Sequence, residues 1–146
     1  MSRSSGYEDH LGHSVKRLYH LMGQHFNEVL RPYGVARSQW YMLYHIQQSG
    51  GLTQKELQDL LQVESATLTG ALNALEQKGW VVRQPGTADR RVKALKLTSA
   101  GKKLWAALPD PILEIRRRML KGISPREEEV ARKILEKAIQ NLESAA

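Results

Sequence analysis

Apolar side chains recur at helical spacing from the eleventh residue onward. Leu11, Val15, Leu18, Met22, Phe26 and Val29 are separated by steps of 4, 3, 4, 4 and 3, which puts them on one face of a helix. The pattern predicts a helix over residues 9–31, stopped by Pro32-Tyr33-Gly34. A second helix is predicted over residues 38–48, with Trp40, Leu43, Tyr44 and Ile46 as inward candidates, before Ser49-Gly50-Gly51 breaks it. Thr53-Gln54-Lys55-Glu56 has the form of a capping box, in which the threonine and glutamate satisfy each other's backbone N–H. The short helix behind it carries Leu57, Leu60 and Leu61. A turn at Gln62-Val63-Glu64 leads to a helix over residues 65–78, lined by Leu68, Leu72 and Leu75 and closed by Gly79 as a left-handed cap. Two short helices around a tight turn form a helix-turn-helix.

The period then changes. Residues 80–84 are β-branched and extended, and residues 92–97 predict a second strand with Leu95 and Leu97 on one face. Strict alternation would place Lys93 with those leucines, so a bulge or a solvated strand start is expected near Ala94. Pro85-Gly86-Thr87-Ala88-Asp89-Arg90-Arg91 forms the tip of this antiparallel hairpin. Thr98 is expected to cap the next helix, with Leu104, Trp105 and Leu108 inward. Pro109-Asp110-Pro111 should interrupt it, Asp110 recapping with Pro111 at the first helical position. Ile112, Ile115, Met119 and Leu120 continue to Gly122. Ser124-Pro125-Arg126-Glu127 is a second capping box, opening a helix with Val130, Ile134, Leu135, Ala138, Ile139 and Leu142. The expected fold is mainly α with a small β-hairpin wing, a winged helix-turn-helix between long terminal helices.

Composition narrows the chemistry. The 146 residues include no cysteine, which excludes a disulfide framework, a thiolate zinc site and a cysteine nucleophile. No apolar run approaches the ~18 residues of a membrane span. The start, Met1-Ser2-Arg3-Ser4-Ser5-Gly6, lacks the apolar stretch of a signal peptide. A cytoplasmic protein without membrane contact is the expectation. The net charge is +7, and its placement is more telling than its size. Between residues 78 and 103 stand eight basic residues and one acid, Asp89, a local balance of +7. A polyanionic partner fits that stretch. His10 and His13 are three apart without a clustered acid or further ligand, so no metal is expected. No nucleophile–base pair, phosphate loop or paired carboxylates stand out, so neither an enzyme nor a cofactor is expected.

The stretch Leu75-Glu76-Gln77-Lys78-Gly79-Trp80-Val81-Val82-Arg83, followed by Asp89-Arg90-Arg91 and then Leu97-Thr98 with Gly101, resembles the signature of the MarR/SlyA family of bacterial transcription regulators. The resemblance extends over nearly the whole chain. It implies one domain over residues 1–146, with a DNA-binding lobe at 38–98 and dimerisation helices at 9–31 and 99–144. The candidate reader is the 65–78 helix, sized for the major groove. Ser65, Thr67, Thr69 and Gly70 lie outward near its start, where hydroxyls can meet phosphates or base edges. Capping and helix-surface roles compete for those hydroxyls. Arg83, Arg90, Arg91 and Lys93 supply basic candidates. The resemblance implies that Arg91 enters the minor groove and that Asp89 holds it; a structural ion pair across the turn is the alternative. Family members often carry arginines along the reader helix, whereas Gly70 and Ala74 stand here.

The resemblance also implies an effector pocket near the 38–48 helix that accepts small aromatic carboxylates or phenols. Trp40 and Tyr44 are candidates on that helix, and Arg17, Tyr19 and His20 on the first. The same Trp40–Tyr44 pair also fits an ordinary core. The apolar faces of the terminal helices exceed what a small winged lobe can cover, so a homodimer is expected. Its two reader helices, ~34 Å apart, would meet a pseudo-palindromic operator in double-stranded DNA. The resulting expectation is a dimeric, sequence-specific regulator, a repressor released by a small aromatic effector. The alternatives are a low-specificity, shape-reading counter-silencer or activator, and a winged-helix protein-interaction module.

Overall fold

A computed structural model of the chain describes residue 6, residues 10–86 and residues 89–145. Residues 1–5 of the polar start, the ninth residue of the expected first helix, and Thr87 and Ala88 of the hairpin tip lie outside the described residues. Two compact units result, residues 1–109 and 110–146.

In the first unit, α1 (Leu11–Leu30) begins at His10, whose ring Nδ1 accepts the Gly12 N–H at 3.0 Å. Its apolar stripe is only half covered. Phe26 and Leu30 are buried, while Leu11, Val15 and Leu18 are exposed. A 3-10 turn at Arg31–Tyr33 ends at Gly34, where φ is +68°. Helix α2 (Arg37–Ser49) buries Trp40, Met42, Leu43 and Ile46. This differs from the expectation at two positions. The buried arc is centred near Leu43 and Ile46, so Met42 falls inside it and Tyr44 emerges at its margin, 37% exposed.

A short β1 (Leu52–Thr53) leads into α3 (Gln54–Leu61). The capping box forms as the spacing predicts. Thr53 Oγ1 accepts the Glu56 N–H at 3.1 Å, and Glu56 Oε2 accepts the Thr53 N–H at 3.3 Å. Gln62, at φ +51°, turns the chain into α4 (Ser65–Gln77). Leu57, Leu68, Leu72 and Leu75 are almost fully buried, each contributing about 1.5–3 kcal/mol relative to exposure. Gly79 caps α4 with φ +76°. Its N–H donates to Glu76 O at 2.9 Å, and the Trp80 N–H donates to Leu75 O at 3.1 Å, the paired bonds of a Schellman end.

Strands β2 (Val81–Pro85) and β3 (Lys93–Leu97) pair antiparallel from Val81↔Leu97 to Pro85↔Lys93. The ladder runs through five consecutive pairs with no bulge. Lys93 shares the pleat face of Leu95 and Leu97 but is exposed at the strand's start. The imperfect alternation is therefore a solvated start. At the neck of the tip, the Gly86 N–H donates to Val92 O at 2.7 Å and the Val92 N–H to Asp89 O at 3.2 Å. The expected hairpin is part of a three-stranded sheet in the order β1-β3-β2, with Leu52 opposite Leu95. Two residues carry no readable alternation, so β1 was invisible to periodicity.

Helix α5 (Ser99–Ala107) is capped by Thr98, whose Oγ1 accepts the Gly101 N–H at 3.0 Å. The same hydroxyl donates to Gly79 O, and the Thr98 N–H donates to Trp80 O at 3.0 Å. Gly101 packs directly on that Trp80 carbonyl, and a Cβ at this position would overlap its oxygen.

In the second unit, Asp110 Oδ1 accepts the N–H groups of Ile112 at 2.9 Å and Leu113 at 3.1 Å, opening α6 (Pro111–Met119). The proline break thus restarts a helix as expected. Helix α7 (Pro125–Ser144) opens on the second capping box. The Ser124 N–H donates to Glu127 Oε2 at 2.8 Å, and the Glu127 N–H to Ser124 Oγ at 3.1 Å. Glu114 accepts from both Arg117 and Arg118, and Arg116 pairs with Glu128. Val130, Ile134, Ile139 and Leu142 are exposed along α7.

Gly101→Ala should destabilise the fold by about 1–3 kcal/mol through overpacking, read as a lowered midpoint in thermal or urea unfolding. Gly70→Ala is the opposite control. Nothing lies within 4 Å of a Cβ there, so the gain in helix propensity should stabilise the protein by about 0.5–1 kcal/mol.

Candidate nucleic-acid interface

The first turns of α4 present Ser65, Ala66, Thr67 and Gly70 to solvent. Thr69 differs from its neighbours. Its Oγ1 donates to Ser65 O at 2.9 Å and accepts from Gln54 Nε2 at 2.9 Å. It joins α3 to α4 and is half-buried. Ser65, Thr67 and Gly70 form the open part of the candidate reader face. No Lys or Arg precedes Lys78 on this helix. Lys78 itself is exposed, with Nζ donating to Gly34 O at 3.0 Å and lying 4.6 Å from the Trp80 ring centre.

The wing presents its charge differently. Arg90 and Lys93 are exposed, and the Arg91 side chain is 92% exposed. The Arg91 N–H donates to Asp89 Oδ1 at 2.9 Å, and its Nε reaches the same oxygen at 3.3 Å. The Arg91 backbone N–H, then its guanidinium, hold the Asp89 carboxyl below the usual aspartate value. The contact predicted between Asp89 and Arg91 is therefore present. Arg83 does not join them. Its Nε donates to Glu76 Oε1 at 2.6 Å, between β2 and the last turn of α4. Arg83 lines a shallow groove with Thr53, Gln54, Lys55 and Lys93, between the start of α3 and the wing.

A separate cavity of about 280 Å³ lies between α1, α2 and the start of α4. Tyr19, Arg37, Ser38, Tyr41 and Thr67 supply its polar wall, and Met42, Leu61 and Leu68 line the apolar side. Arg37 stacks 5.0 Å from the Tyr19 ring centre and donates to the Tyr19 hydroxyl at 3.4 Å. It has no carboxylate partner among the described residues.

Of the five effector candidates, Tyr19 is on the cavity wall and the other four are not. Trp40 is 4% exposed, packed against Phe26, Tyr41, Tyr44 and Trp105 at 5.3–5.6 Å between ring centres. Its place is in the core. Tyr44 stacks on it from the rim. Arg17 is exposed on α1, and His20 is hydrogen-bonded to Gln24 at 3.1 Å. Arg37, on the cavity wall, is not among those candidates. Arg37 and Tyr41 are four apart and share a helix face, the spacing that drew attention to Trp40 and Tyr44 instead.

Among the described residues, no group of three or more His, Cys, Asp or Glu side chains is placed to hold a metal. No described helix is long and apolar enough to cross a membrane.

Residues 35–93 match the family model described as the MarR family. An uncharacterized HTH-type transcriptional regulator, YwoH of Bacillus subtilis (strain 168), is 35% identical over 111 residues, covering 76% of this chain and 80% of the relative. The fold is similar to that of a mutant MarR from E. coli complexed with operator DNA, at a TM-score of 0.78 and 26% identity over 88% of this chain and 92% of that one. It is also similar to S. aureus MepR in complex with DNA, at a TM-score of 0.79 and 25% identity over 90% and 98%. With the capped helix pair, the three-stranded wing and a relative matched over four-fifths of its length, this chain belongs to the MarR family of transcriptional regulators.

Proposed function

We propose that this protein is a homodimeric, sequence-specific DNA-binding regulator, a repressor released by a small aromatic carboxylate or phenol. The observation that carries the DNA reading is the wing tip. An almost fully exposed Arg91 is aimed by Asp89, and the start of the reader helix is open to solvent. An arginine held in this way suits a narrow, A·T-rich minor groove while Ser65, Thr67 and Gly70 face the major groove. The E. coli MarR structure with operator DNA and the MepR–DNA complex support the same use of the fold. With no basic side chain along α4 before Lys78, specificity leans on hydroxyls, water and DNA shape. That feature favours the second reading, a shape-reading protein of low specificity.

Dimerisation is supported by the uncovered apolar residues of α1 and of α7. A two-fold pair would set two reader helices ~34 Å apart, one turn of the duplex. The cavity supports the effector. It offers one cation, Arg37, several hydroxyls and an apolar wall, the chemistry of an aromatic anion. Its occupant would touch Thr67 and Leu68 of α4 as well as Tyr19 of α1. Occupied and empty states therefore place different demands on the reader helix, as release requires.

The DNA reading is tested by anisotropy with the duplex upstream of the protein's own gene, against random duplex, across a salt series. A strong preference for the upstream duplex is expected. Arg91→Ala should weaken binding and reduce the salt slope by about 1. Equal, steeply salt-dependent binding to both duplexes would establish the shape-reading alternative. Absence of binding to either would leave the protein-interaction reading.

The effector reading is tested with benzoate as the probe. Millimolar benzoate should release wild-type protein from the preferred duplex, and Arg37→Met should lose that response while keeping DNA affinity. Release that persists unchanged in the variant would move the effector site elsewhere.

A further inference from the structure

Arg83 stands within the basic stretch, yet its side chain is committed to the fold. The Arg83–Glu76 pair is 2.6 Å long, with the two side chains 29% and 36% exposed. Arg83 lies opposite Leu95 at the centre of the β2–β3 ladder. Glu76 lies in the last turn of α4. An acid there is disfavoured by the negative end of the helix dipole, and an acid near a duplex repels it. Two costs at one position call for an offsetting role, and the short pair to the wing strand provides one. The chain between α4 and β2 is only three residues, 78–80, and bends through Gly79. The pair closes that bend from the side.

We infer that Glu76 and Arg83 form a brace that fixes the angle between reader helix and wing, so that both reach the duplex together. Arg83 is then a positioning residue and makes no phosphate contact. This rests on the DNA-binding reading above. The brace favours binding because it removes freedom that the complex would otherwise have to take away.

The test uses Glu76→Gln, Arg83→Met and the double variant of the full chain, each checked for unchanged helicity and cooperative unfolding. Titrations use the duplex bound by wild type. Removing an acid should by charge alone strengthen DNA binding. A brace predicts the reverse, with Glu76→Gln weakening it about threefold or more. Arg83→Met should weaken it comparably with the salt slope unchanged, and the double variant should be no worse than the worse single one. Equal or tighter binding by Glu76→Gln overturns the inference. So does a slope lowered by about 1 in Arg83→Met, the mark of a lost phosphate contact.

A second measurement is independent of DNA. The chain has no cysteine, so spin labels at Asn73→Cys on α4 and Arg90→Cys on the wing, with the labelled chain diluted into an excess of unlabelled wild type, report one distance within a protomer. Its distribution should broaden when Glu76→Gln is added, and an unchanged distribution overturns the brace. If wild type binds no duplex, the regulatory reading fails while the label distances still decide the brace.

Discussion

Helix α4, the wing and α5 are joined through the backbone of residues 79 and 80. The Gly79 carbonyl accepts from the Thr98 hydroxyl, and the Trp80 carbonyl accepts the Thr98 N–H. Gly101 lies on that second carbonyl so closely that no side chain fits between. One left-handed glycine, one capping threonine and one bare helical position thus fix three elements at once. The β2–β3 register follows, because Val81 pairs with Leu97 immediately beyond this junction. The backbone polar groups freed by ending α4 abruptly are met by the Schellman bonds and by Thr98, which is why the helix can stop there without loss.

Most of the fold was legible because its signals are local. The boxes at Thr53–Glu56 and Ser124–Glu127, the cap at Gly79 and the restart at Asp110 each involve groups within a few residues. What stayed hidden depends on partners distant in sequence. Strand β1 is two residues that become a strand only because Leu95 and Ala94 lie opposite them. The inward arc of α2 is set by what α1 and the sheet cover, so Met42 replaced Tyr44 in the core. The candidate site divides the same way. Asp89 and Arg91 are two apart and their contact was foreseeable. Arg83 finds Glu76 seven residues back across a turn, and Arg37 finds Tyr19 eighteen residues back on another helix. Nothing in spacing announces either.

Charge in the 78–103 stretch is accordingly divided. Lys78 is drawn to the Gly34 carbonyl and the Trp80 ring, and Arg83 to Glu76. Arg90, Arg91, Lys93, Lys102 and Lys103 are exposed, as Lys78 is despite its contacts. A count of basic residues therefore overstates what a polyanion could meet, since part of the count maintains the shape that presents the rest. Arginine suits both tasks because its rigid fork can hold one acceptor while staying charged.

Thr67 lies on the open face of α4 and on the wall of the cavity beside Arg37. In the proposed regulator, one residue would thus border both ligands, and linkage between them runs in both directions by the same factor. A duplex that holds α4 in its reading position would shrink the affinity of the cavity for its occupant as much as the occupant loosens the duplex. The sensitivity of such a sensor is then a property of the genome as well as of the protein. Adding further binding sites would raise the effector concentration needed for release, with no residue of the cavity changed.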